Sequence, residues 1–371
     1  KSEFEERRTR LAKSCDDAGL DGALVVSRGG KASTHNGYCL YLANYFTHWC
    51  PGVNDFPPYW NCRGHPAIVL PVHGEATLIQ TMVPELGGKD LRIHDDVRAD
   101  YCINEVRHYS NVIRGITETI REKGLEQGRI GLIGSLILSM KHFQELQDAF
   151  PKVEWVPSDD LLIDQMLIKS DAEWGVIRYA CESISEVTDQ VLEAGRPGVS
   201  EAELVTQIDL ALRERGCELS FMRPNRLNRL ERGQIYYMAI VGHCNGYFFD
   251  MSRNKVVGAK PSPKQAELLD LLNDFVLRQT EECQPGRTGG EASQFGIRYL
   301  IDERKLFTRE EFEKGITGTY ACFGHGLGLS WTPPNIRPGD ETVLRPGMFM
   351  AVELVYNMPG LGLADVIDHN N

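Results

Sequence analysis

Several features that mark particular classes of protein are missing from this sequence. No apolar run approaches the roughly 18 residues that a bilayer-spanning helix needs. None of the ten cysteines belongs to a C-x-x-C pair, which disfavours a zinc knuckle. No G-x-S-x-G elbow is present, so nothing indicates a serine hydrolase. Positive charge is also scarce, and the formal net charge of −12 disfavours a nucleic acid or an acidic membrane as partner.

What is present is an ordinary globular composition, with 42% hydrophobic and 25% charged residues in 371 positions. This length predicts two domains rather than one core. The first helix-like segment, Lys1 to Ser14, has no apolar centre and so is not typical of a secretory signal. The scattered cysteines are typical of reduced, partly buried thiols. Together these features predict a cytoplasmic protein.

The N-terminal part, residues 1–157, alternates helical and strand patterns. The patterns predict helices at 3–18, 104–123 and 140–150 and strands at 22–27, 66–71, 76–80, 130–134 and 153–156. This alternation is typical of a mixed sheet flanked by helices, that is, an α/β domain.

The pattern changes in residues 158–371. A long helix is predicted at 171–194, and Ser200 to Glu203 has the form of a capping box that begins the next helix. A strand pair at 234–240 and 246–250, helices from 262 and 290, a glycine-rich segment and a last strand at 348–356 follow. This order predicts an α+β domain.

Acidic residues and a histidine interrupt the apolar strands of this second domain. They are Asp250, His325, Glu353, Asp365 and Asp368. A charge beside buried strand residues is costly unless it is paired or bound to a metal. Carboxylates with one imidazole suit Mn, Fe or Zn, although each residue taken alone is equally compatible with a salt bridge or a position on the rim.

Four segments, taken in order, resemble the pita-bread fold of methionine aminopeptidase, Xaa-Pro dipeptidase, aminopeptidase P, creatinase and ectoine hydrolase. They are Ile168–Glu173, Gly246–Arg253, Gly324–Leu329, and Leu344–Met348 leading to Glu353. Residues 1–157 are similar to the N-terminal domain of creatinase and prolidase. The resemblance implies an α+β pita-bread catalytic domain at 158–371, preceded by an α/β creatinase/prolidase-type N-terminal domain.

The resemblance implies only part of a metal centre. Peptidases of this family use two aspartates, one histidine and two glutamates to bind two metal ions, and the metal ions activate a water. Asp250, His325 and Glu353 match three of these positions, whereas Ala239 occupies the first aspartate position, eleven residues before Asp250. Asp368, or alternatively Asp365, is the candidate for the last ligand.

Two histidines that assist catalysis in the peptidases are also replaced, by Met222 and Thr332. We therefore expect either no metal or one divalent ion (Mn, Fe or Zn), bound by Asp250, His325, Glu353 and Asp368, and not a dinuclear centre.

The missing ligands favour the creatinase and ectoine hydrolase branch, and Gly328–Asn335 looks closer to ectoine hydrolase than to a peptidase. The expected function is hydrolysis of an amide or amidine-like C–N bond in a small, carboxylate-bearing solute. Glu353, His325 and Asp250 are the catalytic candidates.

Three further residues are candidates for binding the substrate. Arg337 resembles the arginine that binds the substrate carboxylate in creatinase, which suits its planar fork. Arg63 and His65 follow an aromatic segment that would pack at a dimer interface and contribute to the pocket. The resemblance also implies a homodimer.

Three alternatives stay open at this point. One is a metal-dependent Xaa-Pro dipeptidase or aminopeptidase. Another is a lyase of the same fold, and the third is a non-catalytic module that binds peptides or proteins.

Overall fold

The computed structural model describes residues 2–29, 37–47, 61–62, 64–81, 101–223, 228–314, 322–358 and 362–370. Two compact units comprise Lys1–Met166 and Leu167–Asn371. They part between Met166 and Leu167, within the last turn of helix α5 (Asp159–Leu167), whereas the sequence predicts the boundary at 157, before this helix. No helix in the described ranges is long and apolar enough to cross a membrane.

The N-terminal unit is built around a mixed six-stranded sheet in the order β4-β3-β2-β1-β5-β6. Its strands are β1 Gly22–Val26, β2 Ala67–Pro71, β3 Thr77–Thr81, β4 Glu105–Tyr109, β5 Arg129–Ile133 and β6 Glu154–Pro157. Its helices are α1 Ser2–Asp17, α2 Tyr38–Ala43, α3 Val112–Glu122, α4 Met140–Ala149 and α5. The α/β organisation expected from the alternating patterns is present.

One predicted helix, at 104–123, is divided in the structure. Its first part is strand β4, which pairs in parallel with β3 from Thr77↔Glu105 to Thr81↔Tyr109. Only the second part is helical, and the Asn111 side chain caps it by accepting from the Arg114 amide. The helical reading was wrong for 105–109 because strand pairing outweighed local propensity.

The C-terminal unit contains a seven-stranded sheet in the order β11-β10-β12-β13-β9-β8-β7. Its strands are β7 Cys217–Arg223, β8 Ile235–Cys244, β9 Tyr247–Val256, β10 Gly324–Gly326, β11 Thr332–Asn335, β12 Met350–Met358 and β13 Gly362–Asn370. Its helices are α6 Asp171–Ala194, α7 Glu201–Glu214, α8 Pro263–Glu282, α9 Gly289–Arg298, a π-helix Tyr299–Glu303, and α10 Arg309–Glu313.

Two pairs of helices cover one face of this sheet. Helices α6 and α7 pack with Met238, Ile240 and Met251 in one core, and helices α8 and α9 pack with Val352 and Leu354 in another. Capping boxes begin all four helices, each with a Ser or Thr whose side chain accepts from the third helical residue. The α+β arrangement therefore leaves the opposite sheet face, which carries the alternate strand residues, for the site.

Close packing at Gly296 of α9 supports the strand that carries His325. A β-carbon at Gly296 would lie 2.5 Å from the Phe323 ring, which is fully buried. We expect Gly296→Ala to lower the free energy of unfolding by about 1–3 kcal/mol through overpacking. Gly175 in α6 is the matched control because a β-carbon there meets nothing within 4 Å, and Gly175→Ala should stabilise by about 0.5–1 kcal/mol. Urea unfolding measures both values, and equal effects would contradict this account.

Candidate active site

Strand pairing aligns four residues in a row across the centre of the second sheet. Ala239 of β8 pairs with Ser252 of β9, Ser252 with Ile367 of β13, and Ile367 with Glu353 of β12. Directly paired residues share a sheet face. The row therefore defines what we call the site face, opposite α6–α9.

Two more ionisable residues flank this row. Asp250 lies two positions before Ser252 on β9, and His325 of β10 pairs with Ala351, two positions before Glu353. Asp250 and Glu353 are 7% and 6% exposed, and the His325 side chain is 12% exposed. His325 Nε2 lies 3.6 Å from Asp250 Oδ2. The structure thus brings the three catalytic candidates to one buried face.

The surroundings of His325 favour its protonated form. Burial alone lowers the pKa of this imidazole, but the interaction with Asp250 and the negative charge of Glu353 together outweigh burial and raise the pKa. A raised pKa means that His325 keeps its proton to a higher pH than a free imidazole does. The group can therefore serve as a proton donor inside the site.

An aromatic wall borders the same residues. Phe248 lies two positions before Asp250 on β9, and the Trp331 ring is 4.8 Å from the Phe248 ring and 6.0 Å from the His325 ring. The Trp331 side chain is 42% exposed, which is high for so large an apolar group. The pair offers an apolar surface beside the charged residues. Nothing in the sequence separated these two aromatics from ordinary core residues.

The other predicted site residues lie elsewhere. Arg337 is exposed in the turn after β11. His65 is buried in the N-terminal unit, with its ring 6.3 Å from the His142 ring. Arg63 lies outside the described residues. Thr332 is buried on β11 and pairs with Gly326.

The strand register also decides between the two aspartates of the last strand. Asp368 pairs with Val352, whose side chain belongs to the core under α8, so position 368 is on the helix-covered face. Position 365 pairs with Val355 and lies on the site face, two steps from the row. The position directly opposite Glu353 is Ile367, so position 368, the candidate for the last ligand, lies on the other face from Glu353 because strand residues alternate between faces.

These residues do not fit a dinuclear metal centre. Ala239 and Ile367, whose side chains are hydrocarbon, occupy the row positions where carboxylates would be needed. Between them, the Ser252 hydroxyl is fully buried and has no hydrogen-bond partner in the described structure, but a neutral hydroxyl does not replace carboxylate charge. Across the described ranges, no three His, Cys, Asp or Glu residues are grouped closely enough to hold an ion.

Lys169 lies under the loop that follows His325. It is 7% exposed, its ammonium donates to the Leu167 carbonyl at 3.1 Å, and a β-carbon at Gly328 would lie 3.2 Å from its Nζ. Burial lowers the pKa of Lys169 to about 8, although Glu173 opposes the change. The loop therefore rests on an amine that ionises near the physiological range.

Restoring the missing carboxylates tests the role of the row. We expect Ala239→Asp combined with Ile367→Glu to raise the bound divalent metal to about two ions per chain, because carboxylates supply the missing ligands. Elemental analysis after dialysis against Mn²⁺ measures the content. The pair Ala239→Asn and Ile367→Gln is the matched control, with similar volume and no charge. Two ions in the unsubstituted protein, or no rise in the restored variant, would contradict the role assigned to the row.

Lys169 predicts a pH dependence of stability. Between pH about 8 and 10.5 the unfolded chain keeps a proton on this lysine that the folded chain has lost. Raising the pH across this window therefore favours the folded state, by roughly 3 kcal/mol in total. Urea unfolding should show this gain relative to Lys169→Met, a comparison in which the other titrating groups cancel. A difference that does not change with pH would show that Lys169 titrates normally.

Comparison with known proteins agrees with the fold and revises the function. The model of metallopeptidase family M24 matches residues 175–369, and that of the creatinase/prolidase N-terminal domain matches residues 7–166. The Xaa-Pro dipeptidase of Pyrococcus furiosus is 27% identical over 63% of this chain and 68% of its own length. That of Pyrococcus horikoshii is 28% identical over 59% and 64%. The solved prolidase of P. horikoshii OT3 superposes with a TM-score of 0.76 at 21% identity, covering 98% of this chain and 94% of that one.

These relatives overturn the expectation of a non-peptide solute. Both are named for cleaving Xaa-Pro dipeptides, so the reading as a hydrolase of a small non-peptide C–N compound was wrong. The loss of metal ligands limits which ions the site can hold, but it does not by itself decide which amide bond is cleaved. Family models match most of both compact units, and the chain accordingly belongs to metallopeptidase family M24, with a creatinase/prolidase N-terminal domain and the pita-bread fold.

Proposed function

We propose that this chain is a peptidase that cleaves short peptides before proline, as its Xaa-Pro dipeptidase relatives are named for. The observation that carries the proposal is the buried contact between His325 and Asp250 on the site face, together with the nearby charge of Glu353. Hydrolysis of an amide needs a base for the attacking water and an acid for the leaving nitrogen. Both types of group are present on one face.

The roles follow from charge and position. Glu353 accepts a proton from the attacking water, and Asp250 holds the imidazole of His325 in its protonated form. His325 then donates its proton to the proline nitrogen, a secondary amine that must be protonated to leave. The raised pKa of His325 supports this last step because the imidazole keeps its proton to a higher pH than free histidine does.

The metal content proposed here is at most one divalent ion. Peptidases of the family are metal-dependent. Asp250, Glu353 and a neutral His325 would be the donors for a single ion; they would have to draw closer together to bind it, and His325 would then be a ligand in place of its acid role. Ala239 and Ile367 leave a second ion without its carboxylates.

The aromatic wall supports the choice of proline. The Trp331 and Phe248 rings lie 4.8 Å apart beside His325, and the indole is partly exposed. A pyrrolidine ring is compact and largely apolar and packs well on such a surface. A substrate with proline next to the cleaved bond would therefore place that ring on Trp331 while its amide faces the acidic residues.

An assay of the purified full chain tests the proposal. We expect Leu-Pro to be hydrolysed in preference to Leu-Ala. Release of the C-terminal amino acid is measured in two separate assays, one with added Mn²⁺ and one without. Glu353→Gln should lower kcat by roughly 10²- to 10⁴-fold because it removes a base. Glu214→Gln is the matched control, since Glu214 is exposed at the end of α7, a helix on the sheet face opposite the site.

Binding can be followed separately from turnover. Leu-Pro should change the intrinsic fluorescence of the protein, and Trp331→Phe should remove most of that change. Binding without release of proline under either metal condition would contradict a peptidase and assign a peptide-binding role. A homodimer and a cytoplasmic location stay predictions from the sequence.

A further inference from the structure

Two cysteines face each other at one end of the edge hairpin formed by β7 and β8. Cys217, the first residue of β7, pairs directly with Cys244, the last residue of β8. Both thiols are free, and they are 1% and 4% exposed. Directly opposed residues of an antiparallel pair have Cα atoms about 4.5–5.5 Å apart, within the range of about 4.4–6.8 Å that a disulfide bridges.

The two side chains already interact. The Cys217 thiol donates to the Arg215 carbonyl at 3.9 Å, and the Cys244 thiol donates to the adjacent Gly216 carbonyl at 3.7 Å, so both sulfurs lie against the same turn. Interaction with Cys217 lowers the pKa of Cys244 and outweighs the opposing effect of burial, while interaction with Cys244, together with burial, raises the pKa of Cys217. The pair thus holds one proton more tightly than the other, and Cys244 is the nucleophile of the two.

We propose that Cys217 and Cys244 form a reversible disulfide that locks the edge strand β7 onto β8. The oxidant is a peroxide of the hydrogen peroxide class. The Cys244 thiolate attacks one peroxide oxygen and becomes a sulfenic acid, and the departing hydroxide takes up a proton to become water. The Cys217 sulfur then displaces the sulfenic hydroxyl, which leaves as a second water with the Cys217 proton. Two thiols are oxidised and one peroxide is reduced.

The position of the pair decides how an oxidant reaches it and which strands the bond joins. The pair lies between two turns, at Arg215–Gly216 and Asn245–Gly246, and β7 is the last strand of the sheet. Strand ends at a sheet edge open locally at low cost, which admits a small oxidant to buried sulfur. The bond would close a loop from 217 to 244 that contains all of β7 and β8, including Ala239 of the central row. Oxidation therefore fixes β7 to β8, the strand that carries Ala239.

Peptide mapping of the full chain tests the proposal. The protein is treated with hydrogen peroxide, unfolded, alkylated with iodoacetamide and digested without reductant. We expect one linked peptide joining 217 to 244, about 2 Da lighter than its two free peptides, that disappears with dithiothreitol.

Variants separate this bond from general oxidation. Cys217→Ser should abolish the linked peptide and leave Cys244 as a sulfenic acid that dimedone traps. Cys283→Ser is the matched control, because Cys283 is half-buried on another part of the unit, and it should leave the linkage unchanged. Full alkylation of both cysteines after peroxide, or linkage of either one to another cysteine, would overturn the proposal.

A second measurement reports the mechanical consequence. Amide hydrogen exchange in β7 should slow at least tenfold on oxidation and return to its initial rate on reduction. Unchanged exchange in a protein that carries the bond would contradict the locking role. Neither experiment depends on peptidase activity.

Discussion

Strand register in the second sheet is the constraint on which the site depends. It aligns Ala239, Ser252, Ile367 and Glu353 in one row and places Asp250 beside it. A slip of one residue in β12 would turn Glu353 toward the face where Val352 packs against α8. A carboxylate buried there among hydrocarbon would be strongly unfavourable. The helices that cover one face therefore also fix which residues reach the other.

Charge on the site face is compensated locally. Asp250 and Glu353 are almost fully buried, and their combined field overcomes the burial penalty on His325. Where the resemblance implies further carboxylates, the row carries alkyl side chains instead. The result is a compact acid–imidazole group bordered by an aromatic wall, an arrangement suited to moving protons in a site of low polarity.

The two edges of the sheet differ in what they can contribute. On the β10 side, His325 is held by close packing of Phe323 against Gly296 and by a loop that rests on Lys169. On the β7 side, the strand pairs only with β8 among the described residues, and the proposed Cys217–Cys244 disulfide would attach it covalently. The strand that carries His325 is thus held by packing contacts, whereas the attachment of β7 would depend on the oxidation state of two thiols.

The sequence by itself determined the fold class, the family and the three ionisable residues Asp250, His325 and Glu353. The local patterns behind these predictions are strong: the site residues are charges that interrupt apolar strands, and Ser or Thr caps mark where the helices begin. The sequence pattern predicted a helix at 105–109, where parallel pairing with β3 forms a strand instead. Only the tertiary structure decided that Ile367 rather than Asp368 lies opposite Glu353, that Trp331 adjoins His325, and that Cys217 meets Cys244. These facts depend on register and on contacts between distant segments, which local sequence patterns do not encode.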